Sequence, residues 1–308
     1  MTASSSSSSR RLVLGCAVGL LAAAIGALYT VYARWGIARG MGSPDLTAIR
    51  FSTAGLITLP VLGRAMWNDR SGMVTQWRVW LLVSVLAGTP FGLLMFGALQ
   101  LAPSSHAAIL PFAAMSVMGM LLSAWVLGDP LTARRVSGIV VVVLGLVLLS
   151  GVTATAFSGR VLLGDLMFVA AGTLWVGFGI VLRRHRLDPL LATAVIAFSA
   201  LLTYVPCYLL LGGGRRLIQL APSVLAAEVL VQGVIAGAGT LYTYAKMVSI
   251  LGAARAAVFP ALAPGLAALM AWPVLGQLPT LFEAGGLFIA MAGLFISVTQ
   301  SRHPTNSR

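Results

Sequence analysis

The sequence predicts an all-α membrane protein of ten transmembrane helices, arranged as two inverted five-helix repeats. Three observations predict this fold: the composition, the length of the apolar runs and an internal repetition. Hydrophobic residues make up 59% of the 308 residues, and charged residues make up only 9%. This composition leaves too little polar surface to cover a water-soluble protein of this size, so we expect the chain to lie in lipid.

Ten apolar runs have the length of a transmembrane segment. A spanning helix needs roughly 20 mostly apolar residues to cross the hydrocarbon of a bilayer. The runs are Leu12–Ala33, Leu46–Gly63, Val79–Leu99, Ser104–Leu127, Val136–Val152, Leu162–Leu182, Leu190–Leu211, Val224–Ala245, Gly252–Leu275 and Phe282–Thr299. We number them below as predicted helices one to ten.

The second half of the chain repeats the first. LAPSSHAAILP at Leu101–Pro111 aligns with ILGAARAAVFP at Ile250–Pro260, a shift of 149 residues, and VLG ending at Gly128 recurs at Gly276. Duplication in a very hydrophobic chain is typical of transporters built from repeated membrane modules. We divide the chain into a disordered tail (1–11), a first repeat (12–152), a linker (153–161), a second repeat (162–299) and a C-terminal tail (300–308).

The basic residues predict the orientation. The net charge of +13 could indicate a nucleic-acid partner, but the charges lie in short loops and not on one basic face. With the N-terminus in the cytoplasm, 14 Lys and Arg residues fall on the inner side and five on the outer side, and Arg50 lies in a helix. This distribution follows the positive-inside rule. Because each repeat has an odd number of helices, the second must enter the membrane in the opposite sense, and both termini are cytoplasmic.

No enzyme motif is present. The chain lacks the P-loop, HExxH and GxSxG patterns and has only three His and seven Asp and Glu residues, too few for an ordinary metal centre. We therefore expect no catalysis, cofactor or resident metal. The expected partners are a small-molecule substrate and the lipid bilayer, with no nucleic acid, and the chain is a monomer or a homodimer. A composition rich in Ala, Gly and Arg with one lysine indicates a bacterial cell (inner) membrane.

Helix-breaking residues occur at matched places in the two repeats. GTPFG at Gly88–Gly92 interrupts predicted helix three and GAGT at Gly237–Thr240 interrupts helix eight, while prolines interrupt helices four and nine. Irregular backbone at that depth indicates a cavity or a substrate site, although the same residues also serve kinks and packing. The candidates for contact with a substrate are Thr89, Pro90, His106, Pro111, Trp175, Thr240, Tyr244, Pro260 and Pro264.

Ionisable residues within the spans are candidates for gates or coupling. Arg50 could pair with Asp165, Glu228 or Glu283 and form an extracellular gate, or those carboxylates could simply stabilise the first turns of their helices. His106 and Arg255 occupy equivalent repeat positions, and inversion would place them at opposite mouths. His106 could couple transport to protons or bond to a local partner.

Two further features predict contacts. Trp175 lies mid-membrane, where it could stack on a substrate or pack in the core. Gly138 and Gly145 in helix five match Gly286 and Gly293 in helix ten, and small faces of this kind bring membrane helices together, within one chain or in a dimer.

The chain resembles the EamA-type transporters of the drug/metabolite transporter superfamily. The resemblance rests on the segments Tyr242–Gln277 and Ala98–Pro111 and on the VLG motif near the end of each repeat. In that family a Glu commonly follows VLG, whereas in this sequence the residues that follow the two VLG motifs are Asp129 and Gln277. The resemblance implies an exporter of small metabolites, such as amino acids or amphipathic compounds, working by alternating access. The alternatives are a proton-coupled multidrug exporter and a non-transporting membrane scaffold or sensor subunit.

Overall fold

A computed structural model of the chain describes residues 3–102, 104–150, 159–275 and 280–298. These residues are almost entirely helical and contain no strand. The α-helices are α1 (Ala3–Ile37), α2 (Ser43–Asn68), α3 (Arg70–Thr75), α4 (Trp77–Ala87), α5 (Thr89–Leu101), α6 (Ser104–Leu127), α7 (Ala133–Ser150), α8 (Gly159–His185), α9 (Pro189–Leu210), α10 (Gly214–Gln219), α11 (Pro222–Glu228), α12 (Gly239–Leu251), α13 (Ala253–Ala256), α14 (Ala263–Leu275) and α15 (Leu281–Val298). A π-helix, Val229–Ala238, precedes α12, and a 3₁₀ helix, Phe259–Leu262, precedes α14.

Eight of the ten predicted spans are long and apolar enough to cross a membrane among the residues that the structure describes. They are Arg10–Ile37, Ser43–Asn68, Trp77–Leu101, Leu110–Leu127, Gly159–His185, Pro189–Leu210, Pro222–Leu251 and Ala253–Met270. The other two predicted spans correspond to α7 and α15. Many large apolar side chains, such as Leu210 and Phe288, remain exposed on the outer surface, as expected for helices that face lipid.

The backbone is irregular where the sequence predicts it in three of four helices. Predicted helix three breaks at Gly88, between α4 and α5, and Pro90 then occupies the first turn of α5, where its missing N–H would have no helical partner. Helix eight contains the π-helix, and helix nine is divided by the 3₁₀ helix that includes Pro260.

The fourth predicted interruption is wrong, because Pro111 lies inside the continuous helix α6. Membrane helices tolerate a proline when neighbouring groups satisfy the freed carbonyl.

The first helix starts earlier than the sequence predicts. Because α1 begins at Ala3, the serine run that we assigned to a disordered tail forms the first turns of this helix. Extending an existing helix is far easier than nucleating one.

The glycine faces of α7 and α15 pack against each other, as the repeat predicts. A Cβ atom at Gly145 would lie 2.5 Å from the backbone nitrogen of Ala290 and 2.8 Å from the carbonyl oxygen of Gly286. One at Gly138 would lie 2.9 Å from the carbonyl oxygen of Gly293. The last helix of each repeat therefore joins the two halves through direct backbone contact.

Candidate substrate site

A narrow cavity lies between the two repeats, where the irregular helices meet. Its walls come from α1, α5, α6, α8, α12, the 3₁₀ helix and α14. The lining residues are Ala22, Ala23, Gly26, Tyr29, Phe91, Phe112, Met115, Trp175, Thr240, Tyr244, Phe259, Pro260 and Ala263. The cavity volume is about 40 Å³, enough for a few water molecules. The site must widen before a metabolite can enter.

Aromatic rings form much of the cavity wall. The ring of Trp175 lies 4.6 Å from that of Phe91 and 4.8 Å from that of Tyr244, measured between centroids. Pairs at this separation stabilise each other by about 0.5–1.5 kcal/mol beyond the area that they bury. The hydroxyl groups of Tyr244 and Thr240 are buried and have no hydrogen-bond partner in the described part of the chain. The wall is therefore apolar, with two hydroxyl groups placed to bond a ligand.

Four predicted contact residues line this cavity: Trp175, Thr240, Tyr244 and Pro260. Thr89 and Pro90 are half-buried at the start of α5, and Pro111 and Pro264 are buried outside the lining.

Sequence reasoning missed several of the residues that form the wall. Phe91 and Phe112 each follow a proline that was predicted to contact a substrate, and Phe259 precedes such a proline. An aromatic residue next to a mid-membrane proline was thus a usable signal, because all three of these phenylalanines line the cavity. Tyr29 carried no such signal.

A larger cavity opens beside the far end of α12. It has a volume of about 690 Å³ and is lined by the cluster Arg183, Arg184 and Arg186 at the end of α8 together with Val248 and its neighbours in α12. We call this the basic vestibule. Tyr244 lines the small cavity and Val248 the vestibule, and residues four apart lie roughly 6 Å apart along a helix axis. About one turn of α12 therefore separates the two spaces.

The vestibule rim holds an ion-pair cluster. Arg183 donates a 2.6 Å hydrogen bond to Asp129, and Arg135 lies 4.0 Å from the same carboxylate. Arg255, in α13, is close enough to repel Arg135 electrostatically. Asp129 thus takes part in a pair that links the loop after α6 to α8. Gln277, its counterpart in the second repeat, lies outside the described residues.

His106 lies at the opposite end of α6. Its Nδ1 atom is 2.8 Å from Asp165 Oδ1 in the first turns of α8, and it does not line the small cavity. This contact is the local partner that the sequence left as one of two alternatives. Because Asp129 and Arg183 join the other ends of the same helices, α6 and α8 are connected by polar contacts at both ends.

Two buried charged residues have no hydrogen-bond partner among the residues that the structure describes. Arg50 in α2 is 1% exposed, and none of its three guanidinium nitrogens is bonded there. Its Cζ atom lies 5.0 Å from the ring centroid of Tyr29. Glu228 at the end of α11 is fully buried against Gly36, and neither carboxylate oxygen is bonded within the same residues. The hypothesised pair between Arg50 and Glu228 is not formed in this conformation.

The other carboxylates singled out by the sequence do not supply a described partner for Arg50 either. Asp165 bonds to His106, and the side chain of Glu283 lies outside the described residues. Asp45, which the sequence did not single out, is 3% exposed and accepts hydrogen bonds from the Gly42 N–H at 2.7 Å and the Tyr208 hydroxyl at 2.6 Å. Its place in the first turn of α2 is a capping position, so it holds the start of the helix that carries Arg50.

Apolar helices of spanning length, duplicated in sequence and enclosing a cavity between the copies, are typical of membrane transporters. The sequence pattern of the EamA-like transporter family matches residues 13–151 and again residues 162–299. The chain belongs to this family.

The fold has a counterpart among solved structures. One of them, "Crystal structure of protein", is similar over 94% of this chain and 97% of its own length, with 20% sequence identity and a TM-score of 0.67. This similarity shows a shared fold. No curated protein sequence matches the chain.

Proposed function

We propose that the protein is a secondary transporter that exports small metabolites, such as amino acids or amphipathic compounds, by alternating access. In this proposal ten transmembrane helices form two inverted repeats that rock about the small cavity. The supporting observation is that both repeats contribute to that cavity, and that Phe91, Thr240 and Pro260 in its lining lie at or next to irregular backbone. Discontinuous helices in corresponding positions are the usual form of a midplane transport site.

The conformation supports loading from one side. On one side of the cavity, the basic vestibule comes to within about one turn of α12. On the other side, where α1 ends and α2 begins, lie Tyr29 and the buried Arg50. The positive-inside rule favours a cytoplasmic position for the vestibule. The protein then takes up its substrate from the cell interior, in a bacterial inner membrane, with both termini cytoplasmic and as a monomer or a homodimer.

Flux into proteoliposomes tests the proposal. We expect the wild-type chain to move labelled amino acids or amphipathic amines faster than protein-free vesicles do. Trp175→Leu should reduce that flux by about tenfold, because losing the aromatic contact between Trp175 and the substrate costs roughly 1.4 kcal/mol. Trp272→Leu is the matched control, because Trp272 is 60% exposed and lies outside the cavity. A wild-type chain that moves none of these compounds would support the scaffold or sensor alternative instead.

Glu228 supports a second candidate, a proton-coupled multidrug exporter. A carboxylate that is fully buried within a span is the group such a carrier would use to exchange a proton for a cationic drug. Glu228→Gln would then abolish amine flux driven by a pH gradient, whereas the metabolite exporter would retain its metabolite flux. The comparison of the two substrate classes in one variant separates the candidates.

A further inference from the structure

Arg50 is an unusual residue to find in the interior of this protein. A guanidinium group presents five N–H donors and cannot be deprotonated in proteins, and here none of its three nitrogens has a hydrogen-bond partner among the described residues. Burial of an unpaired charge is strongly unfavourable, so buried arginines are normally matched by a carboxylate or a phosphate. No carboxylate in the described part of the chain bonds to Arg50, because Asp45 bonds to Tyr208, Asp165 bonds to His106, and Glu228 is buried against Gly36.

The position of Arg50 connects it to the cavity. Its guanidinium lies over the ring of Tyr29, and that ring is part of the cavity wall. Gly237 packs on the Arg50 carbonyl oxygen, since a Cβ atom there would lie 2.7 Å away. Thr240, three residues further on, also lines the cavity. Arg50 therefore lies directly behind the wall, separated from the cavity by one aromatic ring.

Tyr29 is placed to open that separation. Its ring meets Phe96 edge-on at 6.2 Å between centroids. Gln232 donates a 2.9 Å hydrogen bond to the Tyr29 backbone carbonyl, which anchors the backbone and not the ring. A group in the cavity could reach Arg50 only if the Tyr29 ring moved, because that ring lies against the guanidinium and also lines the cavity.

We propose that Arg50 recognises a carboxylate on the transported compound, with the apolar body of that compound held against Phe91, Trp175 and Tyr244. Arginine binds carboxylates through two parallel N–H···O bonds, and rings that flank the cavity suit an apolar body. The inference rests on the proposed transport function and adds the recognition step: Arg50 binds the carboxylate of an apolar carboxylic acid or amino acid. Tyr29 is the positioning residue that admits its carboxylate to Arg50.

The test compares matched pairs that differ only in the charged group. Proteoliposomes with the full chain are supplied with labelled 4-methylpentanoate, 3-phenylpropanoate and leucine, and separately with the amide of each. We expect the acids to move about tenfold faster than their amides, and Arg50→Gln to remove that preference by slowing the acids alone. Arg39→Gln is the control, because Arg39 is exposed and lies over Trp35, and it should keep the preference.

Each other outcome overturns the inference in a recognisable way. A preference that is absent from the wild type or that survives in Arg50→Gln refutes the carboxylate site while leaving transport intact. Equal loss of acid and amide flux in Arg50→Gln, reproduced by Glu228→Gln, would make Arg50 a gate residue. If amines move and no acid does, the substrate class is wrong; if no compound of either kind moves, the transport function itself is wrong.

Thermal unfolding provides a second readout that a purely structural arginine would not give. Because Arg50 lacks a partner in the described residues, Arg50→Gln should unfold at the same temperature as the wild type or higher when no substrate is added. Adding 3-phenylpropanoate should raise the unfolding temperature of the wild type and leave that of Arg50→Gln unchanged. A lower unfolding temperature for the variant without substrate would overturn the inference.

Discussion

The contact between α7 and α15 makes a sharp prediction about Gly145. In Gly145→Ala the new Cβ atom would lie 2.5 Å from the Ala290 backbone nitrogen and 2.8 Å from the Gly286 carbonyl oxygen. Backbone atoms cannot rotate away as a side chain can, so the two helices must separate. Overpacking of this kind costs about 1–3 kcal/mol. Alanine also favours a helix over glycine by about 1 kcal/mol, so the net loss is up to about 2 kcal/mol.

Gly285→Ala is the matched control for this prediction. Its Cβ atom would meet only a leucine methyl group, at 3.9 Å, so the variant has the same gain in helix propensity without the clash. Gly145→Ala should therefore be less stable than Gly285→Ala by about 1–3 kcal/mol, measured as the difference in unfolding in detergent with a chemical denaturant. Equal stability of the two variants would refute the close contact between the last helices of the repeats.

Two other substitutions test polar contacts. Tyr208→Phe should lower the stability by about 1–3 kcal/mol, because it removes a 2.6 Å hydrogen bond to the buried Asp45. Tyr204→Phe should lower it less, because the Tyr204 hydroxyl bonds to an exposed backbone carbonyl. Equal thermal unfolding temperatures for the two variants would contradict this order. His106→Ala should lower the unfolding temperature, because it frees Asp165 from α6, and should leave the affinity for transported compounds unchanged, because His106 does not line the cavity. A weaker affinity with unchanged stability would assign His106 to the transport site.

Local residue patterns were enough to predict much of the helical architecture. The position of Gly88 and Pro90 predicts the break between α4 and α5, because these residues weaken a helix wherever it packs. Gly138 and Gly145 predict close packing because they recur on one helical face in both repeats. Such features depend on a few adjacent or periodic residues, and distant parts of the chain have little influence on them.

The wall of the cavity was harder to predict than its location. Pro111 marks the region correctly, but α6 continues through it and the cavity is lined by Phe112. Which face of a helix lines a cavity depends on its rotation, and neighbouring helices set that rotation in lipid. The sequence therefore located the segments around the cavity, and the packing of seven elements selected their lining side chains.

Membrane residence, duplication and the places where helices become irregular all follow from the order of residues along the chain. Apolar length and helix-breaking chemistry act over one or two turns, so the linear sequence contains them. The partners of the charged residues do not follow in this way. Asp165 could have paired with Arg50 but bonds to His106, and Arg50 lies beside Tyr29 without a hydrogen-bond partner in the described structure. Only the tertiary structure decides this, because electrostatic pairing depends on which helices meet and at what depth in the membrane each charged group lies.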